Sequence, residues 1–375
     1  MTDAPPTPRR TALDARHRAL GATMTDFAGW DMPLRYGSER DEHTAVRTRA
    51  GLFDLSHMGE ISLIGPQAGE ALDHALVGRL SALAVGRARY TMICDDEGGI
   101  LDDLIVYRLG DEEFLVVANA ANAQVVLDAL TGRAGGFEAT VRDDRDAYAL
   151  LAVQGPESPG ILKRLTDADL DGLKYYAGLP GTVAGVPAMI ARTGYTGEDG
   201  FELFLAPDDA ERVWEALTEA GAPAGLVPCG LSCRDTLRLE AGMPLYGHEL
   251  TTDTTPFDAG LGRVVKFDKP GDFVGREALE AASHQADTVT PRTLVGLIAS
   301  GRRVPRAGYA VVAADGSAIG QVTSGAPSPT LGRPIAMAYV DPEYAKPGTE
   351  GVFVDIRGAR EPYEVVALPF YKRER

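Results

Sequence analysis

Within the stretch GGILDDLIVY (98–107), two carboxylates, Asp102 and Asp103, stand side by side among apolar residues. Side chains alternate between the faces of a strand. Asp103 therefore shares a face with Leu101, Ile105 and Tyr107, and Asp102 shares the other with Ile100, Leu104 and Val106. Both faces read as buried, which puts at least one carboxylate inside the protein. A buried carboxylate is costly unless something hydrogen-bonds it. One held in place can orient a substrate, accept a proton or stabilise a developing cation. Polar residues also cluster beside turns, and on these residues alone the flank of a hairpin with satisfied carboxylates is the simpler reading.

Other candidates are weaker. Cys229 and Cys233 have a C-x-x-x-C spacing with His248 further on. Zinc sites show tighter pairs and four ligands, so the two read as small buried thiols on or near a helix. There is no G-x-S-x-G elbow. His57, in DLSHMGE, is either a base or a turn or core histidine. RTGYTGEDGFEL (192–203) carries glycines at 194, 197 and 200 and makes a tight loop between two strands. It lacks the ending of a phosphate loop. Two readings stay open for it: a hairpin turn, or a loop that lets Tyr195 and Glu198 project into a cavity. DAGLGRVV (258–265) has only part of a dinucleotide fingerprint.

These residues need elements to hold them. RARYTMIC, GILDDLIVY and EFLVVAN read as three strands of a β-meander, the first two joined by the turn-rich DDEGG. The middle strand carries the two aspartates. Helices are expected over 12–21, from Ser38 (with Asp41 as a capping-box partner) to Gly51, and over 66–78, 121–132, 207–221 and 230–241. Gly242 closes the last one, with Arg234 and Arg238 one turn apart on its surface. After about residue 286 the texture changes to short strands separated by Gly, Pro and Asp, which predicts a small all-β barrel or sandwich. ASHQADTVTP is the expected linker. The fold class is α+β: a body followed by a C-terminal barrel-like β domain.

Composition sets the class. The 375-residue chain is 45% hydrophobic and 24% charged, with a formal net charge of −17. So acidic a surface argues against a nucleic-acid binder, though a few arginines can still form a local positive cup. Three cysteines do not make a disulfide framework. MTDAPPTPRR lacks the apolar core of a signal peptide and reads as a tail. No run approaches a membrane span. A reducing cytoplasm is the expected compartment.

Taken together, MTDFAGWDMPLRY (24–36), AVRTRAGLFDLSHMGE (45–60), GGILDDLIVY, VVANAAN, ARTGYTGEDGFEL, CRDTLRLEAGMPLYGHEL, GRVVKFDKPGDFVGREAL and TSGAPSPTLGRPIAMAYV (323–340) resemble the T-protein family of the glycine cleavage system, the aminomethyltransferases. The motifs span nearly the whole chain in the family's order. The resemblance implies a three-lobed, folate-binding body over 1–285, with interleaved lobes at 1–55 plus 140–285 and at 56–139, and a β-barrel domain over 286–375. It implies transfer of the methylene carbon from the aminomethyl-lipoyl arm of H-protein to tetrahydrofolate, with release of ammonia and no metal. Asp103 matches the catalytic aspartate. Tyr90, Tyr107 and Asn119 are expected to line the pterin region. Glu198 and Arg234 match ligand-contacting residues, with Tyr195 and Tyr246 beside them. Lys372 is the guess for the folate glutamate tail.

Two rivals share the architecture. A folate-dependent demethylase would act without a lipoylated partner. Folate-binding proteins of iron–sulfur assembly resemble one another in K-G-C-x-x-G-Q-E, where this chain reads R-T-G-Y-T-G-E-D, without the cysteine. The basic cluster SGRRVPRAGY (300–309) is either a solvated loop or a docking patch for an acidic H-protein surface.

Overall fold

A computed structural model describes residues 7–285 and 292–374. The opening of the expected N-terminal tail and most of the linker lie outside the described residues. Arg9–Arg10, assigned to that tail, instead form a short strand parallel to Trp30–Arg35. With Thr23–Phe27 these make a three-stranded sheet.

The body rests on two larger sheets. One has six strands in the order Gly178–Val183, Val186–Ala191, Gly200–Leu205, Ala149–Gln154, Ala50–Asp54 and Leu226–Pro228. The other has five: Ala88–Cys94, Ile100–Gly110, Glu113–Ala118, Gly59–Ile64 and Thr140–Asp143. The predicted meander is its first three strands.

Each sheet has one helix-covered face. Leu151, Val153, Phe201 and Leu203 of the six-stranded sheet pack with Val213, Trp214 and Leu217 of the Ala210–Gly221 helix. That helix buries positions 210, 213, 214, 217 and 221, the stripe expected of an amphipathic helix. Leu104, Val106 and Val116 of the five-stranded sheet pack with Leu72 of Ala68–Ala75 and with Val126 and Leu130 of Ala123–Ala134. The remaining two faces meet each other. Phe53, Leu150, Ala152 and Phe204 lie against Ala88, Tyr107, Leu115 and Val117.

The alternation of GGILDDLIVY acquires its meaning here. Asp102 falls on the helix-covered face and is fully buried, whereas Asp103 falls on the face between the sheets and is half-buried.

The Glu39–Thr48 helix begins as its sequence demands. The Ser38 hydroxyl accepts from the Asp41 N–H at 3.3 Å, and Glu39, Asp41 and Glu42 crowd the positive end. It stops short of the expected Gly51, which sits in a strand, where a Cβ would fall 2.6 Å from Cys229 Sγ. The Leu231–Glu240 helix is closed by Gly242 at φ +64, with the Met243 N–H returning to the Arg238 carbonyl at 2.9 Å.

The C-terminal strands close into a six-stranded barrel in the order Thr293–Ala299, Arg333–Val340, Ala318–Ser328, Ala310–Val312, Val352–Ile356 and Ala359–Val366. The barrel docks on the Leu231–Glu240 helix, where Leu239 packs with Ala326, Ile335 and Met337. That docking overturns one expectation. Arg238 is not on the surface: it is 1% exposed, bonded to Glu249 at 3.0 Å and to the Ser324 hydroxyl of the barrel at 2.8 Å.

Candidate active site

Strand pairing assembles the core of the site. Tyr90 lies opposite Ile105 on the neighbouring strand, and its hydroxyl donates to Asp103 Oδ2 at 3.0 Å. Asn119 follows the Glu113–Ala118 strand. Its Nδ2 donates to Asp103 Oδ1 and to Asp102 Oδ1, each at 2.8 Å. One amide thus bridges the two carboxylates.

Burial raises both aspartates. Asp103 reaches about 6, held from rising further by hydrogen bonds from Tyr90 and Asn119. Asp102 reaches about 7, pushed also by the charge of Asp103 and restrained by Asn122 and Asn119. The two ionisations belong to the pair. A carboxylate that titrates near neutrality, between two donors and half open to the inter-sheet space, is suited to accepting a proton in a reaction.

The six-stranded sheet supplies the opposite wall. Tyr107 reaches across to Thr193, hydroxyl to hydroxyl at 2.8 Å, and to Glu202 Oε2 at 3.4 Å. Thr193 also donates to Glu202. Arg234, at the start of its helix, lies over the Tyr195 ring at 4.9 Å, and its guanidinium makes no hydrogen bond or ion pair among the described residues. Burial lowers its pKa, opposed by the charge of Glu202. A guanidinium stacked on a ring with its N–H groups unspent is a ready donor to a carbonyl or an anion. Tyr195 is anchored through its hydroxyl to the Pro244 carbonyl. Tyr176 adds a further ring: its hydroxyl is raised by burial first, then by Tyr175, Glu202 and Asp103. Tyr246, like Tyr90, packs against the cluster that holds Met92 and Ile100 of the meander.

Of the residues singled out from sequence, Asp103, Tyr90, Tyr107, Asn119, Tyr195 and Arg234 therefore come together, with Tyr246 at the edge. Glu198 is spent elsewhere. Its carboxylate accepts from Arg47 Nη1 at 3.0 Å, with both side chains 5% exposed. It lies against Tyr371, whose hydroxyl is pushed up to about 12 by burial and by Glu198. The carboxylate that faces Tyr107 and Arg234 is Glu202, four residues on, which the sequence reading missed. Phe201 and Leu203 point into the helix-covered core, so alternation turns Glu202 to the inter-sheet face.

Lys372 is exposed and makes no ion pair among the described residues. The next residue, Arg373, reaches Asp199 at 3.6 Å, and its charge acts on Tyr175. Tyr175 stacks edge-on against Tyr176 at 4.8 Å. The cation that the last residues bring to this wall is Arg373.

The glycine-rich loop is explained by Gln154. A Cβ on Gly194 or Gly200 would fall 2.1 or 2.5 Å from the Gln154 side chain. That side chain donates to the Thr193 carbonyl and accepts from Thr196. The loop needs glycine to close around it, and in doing so aims Thr193 and Tyr195 into the inter-sheet space.

Two family models match the chain: the GCVT N-terminal domain over residues 13–269 and the glycine cleavage T-protein C-terminal barrel domain over 292–372. The chain belongs to the glycine cleavage T-protein family. An aminomethyltransferase from Streptomyces avermitilis is 79% identical over 368 residues, covering 98% of this chain and 99% of that protein. One from Bacillus subtilis is 44% identical over 97% of this chain and 99% of its own length. The crystal structure of glycine cleavage system aminomethyltransferase T from Bartonella henselae superposes with a TM-score of 0.90 at 38% identity, over 97% of this chain and 98% of that one.

Metal and nucleophile candidates can be judged against the same geometry. Glu42, Cys229 and Cys233 bring their ligand atoms within 4.8 Å. Glu42 already accepts from the N–H groups of Tyr36, Gly37 and Gly230. Cys229 Sγ lies against the Glu42 and Val227 carbonyls, and burial raises its pKa well above the ordinary thiol value. This is an environment for a protonated thiol. His248 is apart, on the Thr323 carbonyl. His57 is buried against Phe27 and lowered to about 4 by burial and then by the charge of Arg234. It is neutral at physiological pH. No helix among the described residues is long and apolar enough to cross a membrane.

Proposed function

We propose that the chain is a tetrahydrofolate-dependent aminomethyltransferase, with the folate ring system in the space between the two sheets and Asp103 at the reacting nitrogens. The observation that carries this is the Tyr90–Asp103–Asn119 constellation facing Glu202 and Arg234, in a chain of this family. The methylene carbon forms two new bonds to folate nitrogens and loses its bonds to the amine and to the lipoyl sulfur. The two protons given up by the folate nitrogens leave on ammonia and on the thiol. Asp103, titrating at about 6, takes one of them and holds the cationic intermediate, with no covalent enzyme adduct. Glu202 accepts from pterin N–H groups and Arg234 donates to a pterin carbonyl. Arg373 meets the glutamate tail.

The aminomethyl donor is the lipoyl arm of an H-protein, in the cytoplasm. Arg302 and Arg306 are exposed and unpaired among the described residues, while Arg303 pairs with Glu361 at 3.2 Å. On a chain of net charge −17 this loop is the docking patch for an acidic carrier surface. Residues 1–285 form the body and 286–375 the barrel domain. Within the body the lobes divide at 56 and near 140, and hydrogen bonding of Thr140–Asp143 to Gly59–Ile64 supports a second boundary a few residues later.

The test is methylenetetrahydrofolate formation from aminomethyl-loaded H-protein and from free small amines. Turnover that depends on the lipoyl arm is expected. Turnover of a free methylamine without the carrier would favour the demethylase. Charge reversal at Arg302 and Arg303 raises the apparent KM for H-protein at low salt; an unchanged KM removes the patch.

A further inference from the structure

Asp102, the other member of the aspartate pair, shares the Asn119 amide with Asp103 but lies on the far side of the strand from the inter-sheet space. Its side chain points into the helix-covered core and is fully buried. Three N–H groups converge on it. The Asn119 backbone donates to Oδ2 at 2.9 Å, and Nδ2 of Asn119 and of Asn122 donate to Oδ1 at 2.8 Å each. Each of these partners is a donor, so their hydrogen bonds favour the ionised carboxylate against the burial and the charge of Asp103 that raise it. The titratable groups that act on Asp102 are Asp103 on the same strand and Tyr246 from the segment after the Leu231–Glu240 helix, whereas Tyr90, Glu249, Tyr176 and Tyr195 act on Asp103.

Asn119 is therefore tied to Asp102 twice, through its backbone and through its side chain. One amide proton goes to Asp102 and the other to Asp103. That leaves Oδ1 of a half-buried residue with no partner among the described residues. While both carboxylates are ionised, an amide held in this way does not turn over, because the reversed form would set its oxygen against the two of them.

We propose that Asp102 is a positioning residue for the transfer reaction: it locks the Asn119 amide so that an N–H stays on Asp103 and the amide oxygen is presented to a substrate N–H. This rests on the role of Asp103 given above. An asparagine at 102 must put an NH2 group either against the two amide nitrogens or against the Asn119 backbone N–H. With the NH2 at the Oδ1 position the clash is relieved only when the amides of Asn119 and Asn122 both turn, and the turn of Asn119 takes its N–H from Asp103 and its oxygen from the ligand. Asp102 thus acts through Asn119 and touches no substrate.

The experiment is steady-state kinetics of the full chain with loaded H-protein and tetrahydrofolate, for wild type, Asp103→Asn, Asp102→Asn, Asn119→Ala and the Asp102→Asn/Asn119→Ala double variant. Asp103→Asn checks the underlying role. If it keeps full activity, that role and this inference both fall. With Asp103→Asn impaired, Asp102→Asn is expected to lower kcat about 10- to 100-fold and to raise KM for tetrahydrofolate in the same proportion as Asn119→Ala does. The double variant should lie within about threefold of Asn119→Ala alone, because both changes remove one interaction. Wild-type kinetics in Asp102→Asn, or losses that multiply in the double variant, overturn the inference while leaving Asp103 in place. Should Asp102→Asn fail to fold, Asn122→Ala removes one donor from Asp102 and none from Asp103. It is expected to cost about two- to fivefold in kcat, and nothing further in the Asn119→Ala background. A loss that persists there overturns the inference.

Discussion

Replacing Glu240 by glutamine is expected to destabilise the protein severely, because this carboxylate is where body and barrel are joined. It is fully buried. Oε2 accepts from Arg47 Nε and Nη2 at 3.0 and 2.9 Å, from His43 Nε2 at 3.0 Å and from the Thr330 hydroxyl at 2.8 Å. Oε1 accepts from the Ser328 hydroxyl at 2.5 Å and the Thr330 N–H at 3.1 Å. Burial alone would raise its pKa, but hydrogen bonds from His43 and Ser328 and the charges of His43 and Arg47 reverse that and bring it from 4.5 to about 2. At about 1.4 kcal/mol per tenfold, that difference is worth roughly 3 kcal/mol of folding stability. Glutamine keeps an oxygen toward Arg47 but sets an NH2 against the Thr330 N–H, at a cost of about 1–3 kcal/mol for the groups left unpaired. The two estimates overlap at about 2–3 kcal/mol.

The assay is urea unfolding of the full chain at pH 7, wild type against Glu240→Gln. Because the folded pKa is depressed, this stabilisation is complete above the unfolded value near 4.5 and is lost as pH falls through about 2. The gap between the two proteins should therefore close over that window. A difference below about 1 kcal/mol at pH 7 with an unchanged denaturant slope, or a gap that widens in acid, would refute the reasoning.

Two further outcomes follow from the same geometry. Tyr90→Phe removes a donor that favours the charged form of Asp103, so the acid limb of kcat/KM should move upward from about 6 while activity at pH 8 changes little. A limb that stays in place or moves down contradicts this. Cys94, Cys229 and Cys233 are buried, with burial raising Cys94 to about 12 and Cys229 well above its usual value. A thiol reagent should therefore label none of the three in the native chain and all three after unfolding; rapid native labelling of any one refutes its placement.

The parts of the site that local pattern can carry were legible in the sequence. Alternation separated Asp102 from Asp103, and the meander brought Tyr90 and Asn119 to Asp103, because neighbouring strands fix their own register. What failed depended on contacts remote in sequence. Glu198 and Glu202 are both plausible carboxylates at the end of a glycine loop, and nothing local says that Arg47, some 150 residues earlier in the chain, claims the first. The alternation of FEL, with Phe201 and Leu203 inward, was the signal that could have selected Glu202. Arg238 looked like a surface residue because the helix is polar on that side. The barrel that buries it arrives more than fifty residues later. Lys372 and Arg373 are indistinguishable by type, and only the packing of the last residues against Asp199 and Tyr175 separates them.

The most direct measurement is a comparison of wild type with Asp103→Asn in single-turnover formation of methylenetetrahydrofolate from aminomethyl-loaded, lipoylated H-protein, with tetrahydrofolate affinity measured alongside. General-base assistance is worth about 10²- to 10⁴-fold. The expected result is a rate loss of at least about 100-fold with folate affinity within a fewfold of wild type. Equal rates in the two proteins would contradict the catalytic role of Asp103.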